Sequence, residues 1–549
     1  MTEPSNSLDT PAVDTLALDA LFAAVNRSDA PGLVVGVARH GVPVYRRAFG
    51  MASLEHGVAN TVATRMRIGS TSKHFASLAA LLLAEEGKFD LDAGVRSVFP
   101  QLADSGSEPT FRQLMNHTGG LRDCLDVGFI GAGLTIKPVG KSLAVQARQR
   151  DVNFVPGEQQ IYNNGGYQLL SLAIEKIAGM PFERFLQERI FAPLGMVDTV
   201  SVPSDFAIHP RMATMHVAQP DGSYRRGMFP SEEVRGEGAI VSTIDDMLVW
   251  LAHLRGPHRV GSDDSWAQLT TPARLNNGFV SNYALGLQIE RYRGVEVIHH
   301  GGTVIGGTCQ MLTVPDHGLD IIILANGAAA SPSDLATRVI DIVLGEGALP
   351  LPADAPALCA DYQPLVGAVY ASPSSNLVIG FGDAAGKLGL IVHHSPPIPL
   401  RVENGALCLD FSRIVTGPYR VAMAPLAEGE LAPASITVVD GGSARRLERL
   451  PPAPDVRAAA APLLGHYDCP DLAAHAEIAF EGEQLVMRIA SEFGPNRLIL
   501  QALSTDLFGW KFTGALAALG GTLRIGQDGL RLDTLRTRRL HFVRSQAPA

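Results

Sequence analysis

Gly69-Ser70-Thr71-Ser72-Lys73-His74-Phe75 decides how this chain is read. From Phe75 the apolar residues Phe75, Leu78, Ala79, Leu82 and Leu83 recur at i, i+3, i+4, i+7 and i+8, which predicts a helix over 75–86 that Gly87 stops. Ser70 then stands at the helix start, where the positive end of the dipole and unpaired N–H groups favour an anion. Lys73 follows one turn later, on the face that carries the serine hydroxyl. A lysine buried beside a serine can lose its charge, and its neutral amine can then take the serine proton. A helix cap alone would explain Ser70 but not Lys73. No second Ser-x-x-Lys occurs in the 549 residues.

Two later stretches supply what such a nucleophile needs. Tyr162-Asn163-Asn164 sits on a loop entering a helix-periodic stretch at 167–178. Tyr162 can pass a proton to a leaving group, and Asn164 can bond a substrate amide. His300-Gly301-Gly302-Thr303 joins the strand-like 295–299 to another strand at Cys309. Glycines such as Gly302 mark a strand that a second backbone or a ligand approaches closely. An edge there could offer the Thr303 N–H as the second half of an oxyanion hole, beside the Ser70 N–H. His299 should point to the opposite face from His300, in a structural role.

Around these motifs the first 347 residues mix strands and helices. Strand signals at 32–38 and 42–48 return at 285–292, 295–299, 309–314 and 320–325, with helical periods between them. That order predicts an α+β domain, residues 1–347, whose two ends share one antiparallel sheet. The Pro- and Ala-rich stretch 348–357 reads as a linker, and 450–461 reads as another. Short strands between Gly, Asp and Asn turns predict two small antiparallel β-barrels, 359–450 and 461–549. The pair shows a weak internal match, Leu365-Val-Gly-Ala-Val-Tyr370 against Leu463-Leu-Gly-His-Tyr467.

A formal net charge of −10 argues against nucleic acid as a partner. The apolar run 16–25 is broken by Asp19 and is too short to span a bilayer, so no membrane partner is expected. Residues 1–14 lack Lys and Arg, which with five scattered cysteines favours a cytoplasmic protein of reduced thiols. No nucleophile elbow, HExxH or phosphate loop is present, so neither cofactor nor metal is expected. The oligomeric state is open, a homodimer being one choice.

Read in order, Ser-x-x-Lys, Tyr-x-Asn and His-x-Gly resemble the active-site set of the penicillin-recognising serine hydrolases, the β-lactamases and DD-peptidases. Leu114-Met-Asn-His-Thr-Gly-Gly-Leu121, Ile190-Phe-Ala-Pro-Leu-Gly-Met196 and Gly236-Glu-Gly-Ala-Ile-Val-Ser-Thr243 look like that family too, and the resemblance spans about 15–345. With His-Gly-Gly as third motif and two β-modules behind, the chain is similar to the D-stereospecific aminopeptidases. That resemblance implies hydrolysis of N-terminal D-residues from short peptides, amides or esters through an acyl-enzyme on Ser70. Lys73 would be the base, Tyr162 the proton shuttle, and Asn164 and His300 the substrate holders. It also implies a loop from the last barrel that closes the pocket and receives the substrate's free amine, matched here by 492–497. The family carries an acid where this chain has Asn496, so Glu492 is the expected acceptor. It also carries Arg and Trp after His-Gly-Gly, where this chain has Ile305, Gly307 and Thr308. An esterase or D-amino-acid amidase of the same fold is the alternative, and a non-catalytic peptide-binding module the second.

Overall fold

The computed structural model describes residues 13–106, 108–351, 355–373, 375–403, 405–409, 420–422 and 432–546. Its first layer is a six-stranded antiparallel sheet in the order Gln288–Tyr292, Val295–Val304, Gly307–Val314, Leu319–Ala325, Leu33–Arg39, Val42–Phe49. Leu319–Ala325 lies beside Leu33–Arg39, with Leu33 opposite Ala325 and Arg39 opposite Leu319, so the two ends of the domain close one sheet.

Strand alternation sorts the side chains between two cores. Leu33, Val35, Val37, Ile321 and Ile323 pack with Leu18, Phe22, Leu335, Val339 and Ile340 of the helices Thr15–Phe22 and Pro332–Leu344. Val34, Ala38, Ile322 and Leu324 face the other way, onto the main helical layer with Phe75, Leu78, Met247 and Trp250. Both faces are covered, which is why Leu33-Val-Val reads as an unbroken apolar run rather than an alternating one. The Lys73–Glu85 helix lies deep in that layer, and Lys73 to Leu83 are all buried.

The His-Gly-Gly stretch departs from expectation. The strand does not end at His299 but continues to Val304, pairing Gly302 with Cys309 and Thr303 with Thr308.

Behind the sheet domain, eight strands from Val369–Ala371 to Ser443–Arg449 pair in sequence order, and the last returns to the first. Ala355–Pro356 adds a ninth strand against Ile398–Glu403. Residues 410–419 and 423–431 of this module lie outside the described residues. Gly465–Cys469 to Leu540–Ser545 form a closed eight-stranded barrel. Its core includes Tyr467, Met487, Trp510 and Phe542, and is continuous with Val127, Phe129 and Ile130 of the Cys124–Ala132 helix. One helix of the first domain is thus buried against the last. Among the described residues no helix is long and apolar enough to cross a membrane.

Candidate active site

Ser70 sits on the 3-10 turn Gly69–Ser72 that leads into the Lys73–Glu85 helix. Gly69 adopts a φ of +55°, and a Cβ there would stand 2.8 Å from the Thr303 nitrogen. A Cβ on Gly302 would overlap the Ile68 carbonyl at 1.8 Å and stand 3.2 Å from the Ser70 nitrogen. Two glycines therefore let the strand and the Ser70 turn touch backbone to backbone. This brings the N–H groups of Ser70 and Thr303 to one place. Thr71 ties the turn down by donating its hydroxyl hydrogen to the His300 carbonyl at 3.2 Å.

Lys73 has no exposed surface. Its Nζ lies 3.2 Å from Ser70 Oγ and donates to Asn164 Oδ1 at 2.8 Å and to the Glu237 carbonyl at 2.9 Å. Among the described residues its amine has oxygens around it but no carboxylate in contact. Burial lowers its pKa well below the ordinary lysine range, and the charges of Glu237 and Asp123 only partly offset this.

Asn164 is aimed at Lys73 by Asp123, whose Oδ2 accepts from the Asn164 backbone N–H at 3.0 Å and its side-chain amide at 3.2 Å. Asp123 is fully buried and caps the Cys124–Ala132 helix through Leu125 N–H. Tyr162 is held by the Asn-His-Thr-Gly-Gly stretch: the His117 carbonyl accepts from Ile161 N–H, and its Nδ1 from Asn163 N–H. The Tyr162 ring lies 4.3 Å from the His117 ring and 4.7 Å from Lys73 Nζ, centroid to atom. Its buried hydroxyl makes no hydrogen bond among the described residues. Burial raises this phenol's pKa, and the nearby Ser70 hydroxyl draws it partly back.

His300 is engaged within the fold. Its ring is buried, with Nδ1 donating to the Gly301 carbonyl at 2.6 Å and Nε2 accepting from the Tyr283 hydroxyl at 2.9 Å. Burial, then the charge of Lys73, holds it neutral. A ring so bonded anchors the strand and Tyr283. His299 does turn to the other side, against Gln310 and Glu290.

The 492–497 loop is not brought to this cluster. It is a tight hairpin between Gln484–Ser491 and Gly494–Ala502. Glu492 pairs with Arg148, half exposed, and Asn496 donates to the carbonyls of Phe129 and Ile130, both at 2.8 Å. Those carbonyls close the C-terminal end of the Cys124–Ala132 helix, whereas Asp123 stands at its N-terminal end. Six helical steps run from Asp123 to Phe129, about 9 Å along the axis.

The barrel loop that does reach the cluster is a different one. Arg536, between Gly529–Asp533 and Leu540–Ser545, pairs with Asp123 at 3.5 Å and Asp126 at 2.6 Å. Thr534 donates to Asp126 at 2.6 Å. The buried Arg122 clamps the same loop, donating to the carbonyls of Arg538 and Arg539 at 2.9 Å each. Asp123, Arg122 and Arg536 went unrecognised because their meaning is a contact between residues some 410 positions apart. Glu237 lay inside a quoted motif, but only folding shows where its carboxylate stands.

The family model described as Beta-lactamase matches residues 18–344, and this chain belongs to that family. Among its relatives is a D-aminopeptidase of Brucella canis, 29% identical over 388 residues, covering 68% of this chain and 70% of the relative. Among solved structures, the octameric penicillin-binding protein homologue from Pyrococcus abyssi aligns over 91% of this chain and 98% of its own, with TM-score 0.55 and 18% identity. D-amino acid amidase from Ochrobactrum anthropi SV3, complexed with D-phenylalanine, aligns over 59% of this chain and 98% of its own, with TM-score 0.50 and 22% identity.

Proposed function

We propose that this chain is a serine hydrolase that removes N-terminal D-residues from short peptides, amides or esters. The observation that carries the chemistry is Lys73 Nζ, fully buried, 3.2 Å from Ser70 Oγ. With its pKa depressed by burial, Lys73 in its neutral form takes the Ser70 proton as Oγ attacks the carbonyl. The oxyanion falls between the N–H groups of Ser70 and Thr303. Tyr162 carries the proton to the leaving amine and later helps activate water, while Asn164 holds Lys73 and the substrate amide. Kinship with a D-aminopeptidase supports the substrate class.

The partner in this reading is a small peptide or amide, the location is cytoplasmic, and a homodimer is one choice of assembly. Light scattering checks the assembly. Steady-state rates on D- and L-alanine p-nitroanilide, beside p-nitrophenyl acetate, test the first. Preference for the D-anilide is expected. Turnover of the ester alone would make the protein an esterase, and no uptake of a fluorophosphonate label would make it a binding module.

A further inference from the structure

The aminopeptidase reading requires an acceptor for the substrate's free ammonium, and covalent geometry limits where it can stand. In an acylated N-terminal residue the amine is two bonds, about 2.5 Å, from the carbon that Ser70 attacks. Glu492, already paired with Arg148 at the far end of the Cys124–Ala132 helix from Asp123, is not placed to meet it.

The carboxylates near Ser70 can be taken in turn. Asp123 is fully buried and spends its oxygens on Leu125, Asn164 and Arg536. Asp126 is spent on Thr534 and Arg536. Glu233 accepts from the N–H groups of Gly140 and Ser142 and from the Ser142 hydroxyl. Glu237 differs. It is half-buried, and its carboxylate accepts one hydrogen bond, from Arg235 N–H at 3.1 Å. No cation pairs with it among the described residues, although an ionised carboxylate can take about four bonds.

Its backbone fixes it at the reacting centre. The Glu237 carbonyl accepts from Lys73 Nζ at 2.9 Å; burial pushes its carboxyl up to about 7, and the charge of Lys73 works against that. The flanking glycines allow this approach. A Cβ on Gly236 would stand 2.6 Å from Ala76 Cβ of the nucleophile helix, and one on Gly238 would stand 3.7 Å from the Gly69 carbonyl carbon.

We infer that Glu237 is the binding site for the free α-ammonium of the substrate and the residue that sets both the requirement for an unblocked N-terminus and the preference for D-residues. The stereochemical part follows from attachment. With the carbonyl on Ser70 and the amine on Glu237, D- and L-residues send their side chains to opposite sides of one plane. This rests on the aminopeptidase reading and adds the residue that enforces it.

The test compares wild type with Glu237→Gln and Glu237→Asp on D-alanine p-nitroanilide, its N-acetyl derivative and L-alanine p-nitroanilide, with active sites counted by fluorophosphonate uptake. The wild type should favour the free amine over the N-acetyl substrate. In Glu237→Gln that ratio should fall about 100-fold, the loss typical of removing one partner of a desolvated charge pair, and the D/L ratio should fall towards one. Glu237→Asp, which keeps the charge but shortens its reach, should lie between and serves if the glutamine variant does not fold. If Glu237→Gln slows free and acetylated substrates by the same factor, Glu237 is only a counter-ion of Lys73 and the inference is wrong. A wild type indifferent to acetylation would overturn the aminopeptidase reading and this site together. A wild-type preference that survives in both variants would overturn this site alone.

Discussion

The last barrel grips the Cys124–Ala132 helix at both ends, and the two grips differ in kind. At the C-terminal end a neutral amide, Asn496, caps two carbonyls, and the nearby Glu492–Arg148 pair is open to water. At the N-terminal end a half-buried guanidinium, Arg536, meets Asp123 and Asp126, and Asp123 in turn orients Asn164 and through it Lys73. One grip is mechanical. The other shares a hydrogen-bond chain with Lys73, the proposed base. The barrel is therefore coupled to the chemistry by the 534–539 loop and not by the one the family pattern suggested.

Arg536→Ala should produce the largest break. It leaves Asp123 and Asp126 with uncompensated buried charge, for a loss of about 3–5 kcal/mol in stability. The survivors should show lower kcat, because Asn164 loses its fixed partner. Denaturant melts with steady-state rates check both, and an unchanged kcat would uncouple the barrel from catalysis.

A pH profile sharpens the same point. Acylation needs neutral Lys73, so kcat/KM should rise with pH through a limb well below the ordinary lysine value of about 10.4. Arg536 also lowers the Lys73 pKa, so Arg536→Ala should move that limb upward. A limb near 10 in the wild type would contradict the assigned base.

At the far grip the effects should be smaller. Asn496→Ala removes two hydrogen bonds to helix-end carbonyls and should cost about 1–2 kcal/mol, with kcat/KM and the free-amine preference intact. Glu492→Gln breaks an exposed pair and should cost under about 1 kcal/mol. If either variant changed the preference for a free amine, the hairpin would reach the pocket after all.

What could be read from the sequence follows from the range of the interactions. Ser70 and Lys73 lie one helical turn apart, so local periodicity sufficed to place them together. The shared sheet was legible because Leu33–Arg39 and Leu319–Ala325 both carry strand patterns at the ends of one domain. For His300 the motif position gives the residue's place but not its hydrogen bonds, and both of its nitrogens bond within the fold. Asp123 and Arg536 carried no local signal at all. An aspartate before a helix reads as a cap, which Asp123 also is, and an arginine in a barrel turn reads as surface.

The central claim, a covalent intermediate on Ser70 drawn forward by Lys73, can be tested by quenching the protein during turnover of a p-nitrophenyl ester and weighing it. The account predicts an added acyl mass on the peptide carrying Ser70 in the wild type, more of it in Tyr162→Phe, and none in Ser70→Ala or Lys73→Ala. An acyl group on any other residue, or full turnover by Ser70→Ala, would contradict it.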